Sequence, residues 1–312
     1  MTPNQELHVI FGTGPLGQAV MRELVTQKKR IRMVNRSGQA VVPNEVEVIA
    51  ADAYDPASTK AVTADASVVY QCAQPAYTQW AEKFPALQAA IVDGVAANDA
   101  KLIVGDNLYM YGLVNKPMRE DLPNVATTRK GGTRALMAEA LLEAHRKNRI
   151  RVAIGRGSDF FGPQVLGSVM GERIFPAVLA GKPASGLGNI DLLHTYTFIN
   201  DFGKALVVLG ERDEALGQIW HVPNPETVTT RQFLEIAFKE AGHPAKINSM
   251  GKFMMWLGGL FIPEARETVE MMYEFENPFV VDHSKYVQMF GTQATPLREA
   301  IRQTLEWYRS HH

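Results

Sequence analysis

The chain of 312 residues lacks the features that mark several protein classes. It has one cysteine, Cys72, which rules out an internal disulfide. There is no H-E-x-x-H run, no paired cysteine and no histidine cluster at ligand spacing, so no metal is expected. Neither sign of charge is in excess. With 32 Lys and Arg against 33 Asp and Glu the net charge is -1, which gives no reason to expect nucleic acid or a membrane as partner. The longest apolar run, FMMWLGGLFI (Phe253 to Ile262), is about half the roughly 20 residues that span a bilayer. It is expected to be a core helix or the lining of an apolar pocket. The N-terminus has no basic start followed by an apolar stretch, and the expected location is cytoplasmic.

What is present is an alternation. Short apolar runs at 7–11, 31–35, 46–50, 67–72, 101–105 and 151–155 are bounded by Gly, Asp, Asn or Pro, and helical patterns lie between them at 15–28, 78–98 and 128–147. This is the pattern of βαβ units and predicts an α/β fold with a doubly wound parallel sheet. After Pro163 the regularity weakens, with short strands at 195–199 and 218–222 and a helix at 229–242 ending at a glycine. The expected division is 1–162 with 195–222 as a nucleotide-binding domain, and 163–194 with 223–312 as a smaller interleaved α/β substrate domain. A small-molecule substrate would sit in the crevice between them.

VIFGTGPLGQAV places Gly12, Gly14 and Gly17 at the G-x-G-x-x-G spacing, with Pro15 and Leu16 between the last two, directly after a strand and at the start of a helix. The glycines allow a tight turn and close approach of backbone to a pyrophosphate, which the helix N-terminus stabilises. The next strand bears on the cofactor. A ribose 2′-hydroxyl calls for a carboxylate about 20 residues on, whereas a 2′-phosphate calls for a cation in its place. No carboxylate stands between Glu23 and Glu45, and the strand ends in Asn35, Arg36 and Ser37. NADP is therefore expected in preference to NAD.

Together with ADAYD after the third strand, LYMYG (108–112), RGSDFFGP (156–163) and TYTFINDFGKAL (195–206), the glycine turn makes the chain resemble the extended short-chain dehydrogenase/reductases, specifically the NAD-dependent epimerase/dehydratase type. The resemblance covers nearly the whole chain and implies a Rossmann sheet. It implies that Asp52 and Ala53 lie beside the adenine, that Ala73, Gln74 and Pro75 line the pyrophosphate and ribose, and that Lys130 holds the nicotinamide ribose. Gly157 and Ser158 would approach the carboxamide. A homodimer through the helices at 78–98 and 128–147 is a further expectation by analogy.

The chain departs from that family where the proton is moved. The tyrosine expected four residues before Lys130 is Ala126, and Asn107 stands where a serine is expected. The candidates left for the chemistry are Lys130, Asn107, Tyr111 and its neighbour Tyr109, His194, and Asp159 as a base or a helix cap. Thr127 and Thr128 are expected to cap the helix that follows. The leading expectation is an NADP(H)-dependent oxidoreductase acting on a small, fairly apolar carbonyl or activated alkene. One alternative is an epimerase or dehydratase whose cofactor is reoxidised within the turnover. Another is a non-catalytic NADP sensor or scaffold resembling the nitrogen-metabolite-repressor type.

Overall fold

A computed structural model describes residues 6–258, 263–291 and 294–311. Strand β1 (Leu7–Phe11) is buried at every position, as a central parallel strand covered on both faces must be. The chain continues through α1 (Pro15–Thr26), β2 (Arg30–Asn35), β3 (Glu47–Ala50), α2 (Pro56–Val62), β4 (Ala66–Gln71), α3 (Trp80–Asn98), β5 (Lys101–Asp106), α4 (Arg129–Arg146) and β6 (Arg151–Arg156). Pro15 opens α1, where its fixed φ suits a first turn, and the Asp55 carboxylate caps α2 by accepting from two backbone N–H groups. The candidate strands of the first half agree with these spans to within one residue at either end.

Beyond β6 come β7 (Asp159–Phe161), α5 (Phe175–Leu179), β8 (Ala184–Leu187), β9 (Leu193–His194), β10 (Tyr196–Phe198), α6 (Ile199–Glu211), β11 (Ile219–His221) and β12 (Val228–Thr229). Then follow α7 (Thr230–Ala241), β13 (Ile247–Met250), α8 (Lys252–Gly258), α9 (Pro263–Val269), α10 (Tyr273–Glu276), α11 (Ser284–Phe290) and α12 (Leu297–His311). Helix α7 has a full capping box, in which Thr229 accepts from Gln232 N–H and the Gln232 side chain accepts from Thr229 N–H, and it stops at Gly242 in the left-handed region.

The main sheet has seven strands in the order β11-β6-β5-β4-β1-β2-β3, and each neighbouring pair is parallel. Strand order reverses between β1 and β4, so the carboxyl ends of these two strands open a crevice at the switch point. One face of the sheet buries Val9, Phe11 and Val104 against Phe84, Leu87 and Ile91 of α3 and Leu141 of α4. The other buries Ile10, Met33 and Ile103 against Leu24 of α1 and Leu206 and Leu209 of α6. A separate core, with Phe161, Phe175, Phe233, Ile301 and Tyr308, joins the elements after residue 160. Between α3 and α4 an outward apolar groove of about 320 Å³ is lined by Ala89, Val92, Leu136 and Ala140, and Leu136 is 75% exposed. Among the described residues no helix is long and apolar enough to cross a membrane.

Two expectations are corrected here. The run at 253–262 is not core where it is described: α8 is only seven residues long and packs against α9, leaving Phe253 and Trp256 exposed, while 259–262 lie outside the described residues. Asp159 caps no helix, because Asp159–Phe161 is extended and pairs in parallel with Tyr196–Phe198.

Candidate functional site

The glycine turn is built by close contact. Gly12 adopts φ +105° and donates its N–H to Val34 O at 2.9 Å, and a Cβ here would lie 2.8 Å from Ala73 N. A Cβ on Gly17 would lie 2.0 Å from Gly12 O. Gly14 is different: nothing lies within 4 Å of its would-be Cβ, and no side chain caps α1. Gly14 is exposed, so α1 begins at the switch point with its N-terminus open to a ligand, where a phosphate could be held. Pro15 and Leu16 form the wall of this turn, and Ala73, Gln74 and Pro75 continue β4 along the same edge.

At the end of β2, Asn35 is committed to its own turn. Its carboxamide nitrogen donates to Thr13 Oγ1 at 3.0 Å and to Gln39 O at 2.8 Å, and its oxygen accepts from Gly38 N at 2.7 Å. This leaves Arg36 and Ser37 exposed beside the crevice. Asp52 accepts from Tyr54 N–H at 3.0 Å, and Ala53 packs against the core edge. The Tyr54 phenol is raised by burial, drawn down by Arg36 and pushed up again by Asp52, which locates all three near one another. These residues fit the phosphate and adenosine half of a dinucleotide.

Lys130 lies in the first turn of α4, which Thr128 caps by accepting from Gly131 N–H at 3.1 Å. Ala126, in the expected tyrosine position, donates its N–H to Met110 O and is wedged against Gly112 and Gly131. The ammonium is 1% exposed and lies 4.5 Å from the centre of the Tyr77 ring. It donates to Glu270 Oε1 at 2.8 Å, to the Glu267 carboxylate and to Glu267 O at 3.4 Å. Arg129 adds a backbone donation to Glu270 at 3.0 Å and a guanidinium contact to Glu267 at 3.2 Å. Burial pushes the Glu267 carboxyl up, but Lys130 and Arg129 more than offset this and hold it below the usual range.

Around this lysine the fold gathers groups that are far apart in sequence. Tyr77 heads a 3₁₀ turn after β4 and Tyr109 heads another after β5; burial pushes both phenols above their ordinary range, and each phenol perturbs the other. Tyr273 and Glu274 come from α10, with the Tyr273 hydroxyl donating to Glu274 Oε1 at 3.5 Å. Burial, and then the nearby Asp159, keep Glu274 well above the usual carboxylate range. Tyr77 was legible in principle, since QPAYTQW places it two residues past the predicted ribose-lining stretch. Glu267, Glu270, Tyr273 and Glu274 carried no signal of this kind.

The other candidates are engaged elsewhere. The Tyr111 hydroxyl is fully buried against His221 Nε2 at 2.9 Å with the Arg156 guanidinium 4.9 Å from its ring, because the 3₁₀ turn 109–111 sends its two tyrosines apart. His194 pairs with Asp159 at 2.8 Å and stacks on Tyr196, Phe275 and Phe279, a packed position that commits it to structure. The Asn107 oxygen accepts from Tyr109 N–H and caps that turn. Ser158 spends its hydroxyl on Thr195 O and its N–H on Thr197 Oγ1, and Gly157 donates its N–H to Asp106 O at 3.0 Å, so these donors are already engaged. Burial raises the Cys72 thiol far above its ordinary range, which keeps it inert. Among the described residues no group of His, Cys, Asp and Glu could hold a metal.

Comparison with known proteins agrees with this geometry. UDP-glucuronic acid 4-epimerase from Bacillus cereus, solved with NAD, superposes with a TM-score of 0.78 at 15% identity, over 98% of this chain and 97% of that one. UDP-glucose 4-epimerase from Thermotoga maritima, solved with UDP-glucose, gives 0.80 at 13% identity over 98% and 99%. dTDP-glucose 4,6-dehydratase from Bacillus anthracis, solved with NAD, gives 0.79 at 13% over 98% and 97%. No protein of curated function matches by sequence. At these identities the superpositions establish the fold, and the family rests on residues 9–222, which match its pattern: the chain belongs to the NAD-dependent epimerase/dehydratase family.

Proposed function

We propose that the protein is an NADP(H)-dependent oxidoreductase that acts on a carbonyl or activated alkene in a small, fairly apolar molecule, with Tyr77 in place of the absent tyrosine. The observation that carries this is the Lys130 ammonium 4.5 Å from the centre of the Tyr77 ring, at the crevice that the Gly14 cradle opens. The dinucleotide supplies or accepts hydride when bound. Gly12, Gly14 and Gly17 would hold its pyrophosphate, Arg36 and Ser37 its 2′-phosphate, and Lys130 its second ribose. The Tyr77 phenol, which burial holds above its ordinary range, gives a proton to the substrate oxygen and is reprotonated from solvent once product leaves. Glu267 and Glu270 balance Lys130 and Arg129 at this end of the crevice, so these two cations are not left unpaired for the diphosphate of a sugar nucleotide, which suits a neutral substrate.

An epimerase or dehydratase would use the same groups and form product without net change in nicotinamide absorbance. Replacing Tyr77 with Phe is expected to lower kcat about a hundredfold or more while the NADPH dissociation constant stays within about twofold. Unchanged turnover would move the proton to another group. NADPH is expected to bind more tightly than NADH, and Arg36→Ala to remove roughly ten- to hundredfold of that preference, the value of one charged phosphate contact. Equal affinities in the parent protein would overturn the NADP assignment.

A further inference from the structure

The nicotinamide end of the crevice differs from the phosphate end in one respect: its lysine is already taken. An ammonium has three donors, and Lys130 spends them on the Glu267 carboxylate, Glu270 Oε1 at 2.8 Å and Glu267 O at 3.4 Å. No donor is left for a ribose hydroxyl. We propose that residues 263–276 form a strap whose Glu267 and Glu270 compete with the dinucleotide for Lys130, so that the cofactor enters only as the α9 half of the strap lifts. This rests on the dinucleotide reading above.

The charges explain why the strap closes. Burying an ammonium is costly unless opposite charge offsets it, and two carboxylates from one short segment supply that charge to Lys130, whose side chain is 1% exposed. The cost of release is limited, because the side chains of Glu267 and Glu270 are 14% and 27% exposed and regain water by a small outward swing. The two halves of the strap are anchored differently. Met271, Met272 and Phe275 are 1%, 0% and 6% exposed and hold the second half down, whereas the first half packs on α8, joins that apolar cluster through Val269, and is held at the lysine by ion pairs and the Arg129 backbone donation. The groups facing the ammonium are Tyr77, Glu267 and Glu270, with Arg129 alongside. The strap therefore also neutralises the charge that would make Tyr77 a better acid, and lifting it prepares the site for binding and for proton transfer together.

The test is titration with NADPH of the parent chain, of Glu267→Gln/Glu270→Gln and of Glu276→Gln. Glu276 lies on the same strap but is exposed, and controls for the loss of negative charge. The double variant is expected to bind about tenfold or more tightly, since a minor open state no longer limits affinity, with Glu276→Gln within about twofold of the parent. In hydrogen exchange, NADPH on the parent and Lys130→Met without ligand are both expected to speed the amides of 266–270. Equal or weaker binding by the double variant, or protection of 266–270 by NADPH, would overturn the strap. If no chain binds NADPH at all, the dinucleotide reading fails first and the strap fails with it.

Discussion

Replacing Asp106 by alanine is expected to cost about 3–5 kcal/mol of stability. Asp106 is buried at the end of β5 and accepts from Arg134 Nε at 2.8 Å and Arg156 Nε at 3.1 Å, with the side chains of all three at most 4% exposed. Both arginines keep buried terminal nitrogens without a protein partner, so the one carboxylate already balances two guanidiniums. Removing it leaves two buried cations, which is far worse than losing a pair at the surface. At about 2.1 cal/mol/K per residue over 312 residues, the melting temperature should fall by about 5–8 °C. The exposed pair Arg231–Asp191 provides the contrast, at 41% and 61% exposure, and Asp191→Ala should move the midpoint by less than about 2 °C. A loss as small as that for Asp106→Ala would show that the cluster is held by packing, with Arg134 on Phe84 and Arg156 on Tyr111, and not by its charge balance.

The second large effect separates folding from binding within the glycine turn. Gly17→Ala puts a methyl 2.0 Å from Gly12 O, and α1 cannot slide to relieve it, because Gly203 of α6 already lies where a Cβ would be 2.5 Å from Ala19 C. The turn must open, so dinucleotide binding is expected to fall by about a hundredfold or more and stability by about 1–3 kcal/mol. Gly14→Ala meets nothing within 4 Å and its φ of -75° suits any residue. Its melting temperature should stay within about 1 °C of the parent, while the methyl intrudes on the phosphate cradle and weakens binding. Calorimetry and titration on the same two proteins read out the difference. Loss of stability in Gly14→Ala, or full binding by Gly17→Ala, would contradict this division of roles.

The sheet and the glycine turn were legible because their signals are local. The apolar runs and Gly12 to Gly17 fall within a few residues of the structure they specify. Thr128 could likewise be assigned as a helix cap from its place before Arg129. The chemistry was not legible in this way. Tyr109 and Tyr111 are two positions apart in LYMYG and both follow β5, and only the sense of a 3₁₀ turn sends one towards Tyr77 and the other to His221. His194 looked available because the sequence does not show that Phe275 and Phe279, about 80 residues later, stack on it. Glu267 and Glu270 meet Lys130 across more than a hundred residues, and Asp106 gathers arginines 28 and 50 residues away. Partnerships at such separations belong to the tertiary fold, where one buried charge selects its partner by position and not by any local pattern.

The central claim is that the crevice between β1 and β4 holds a nicotinamide dinucleotide. Isothermal titration of NADPH into the parent chain and into Glu267→Gln/Glu270→Gln tests it most directly. Saturable binding at one site per chain, tighter in the variant and lost with Gly17→Ala, is the predicted result; no saturable binding of NADPH or NADH to either protein would contradict it.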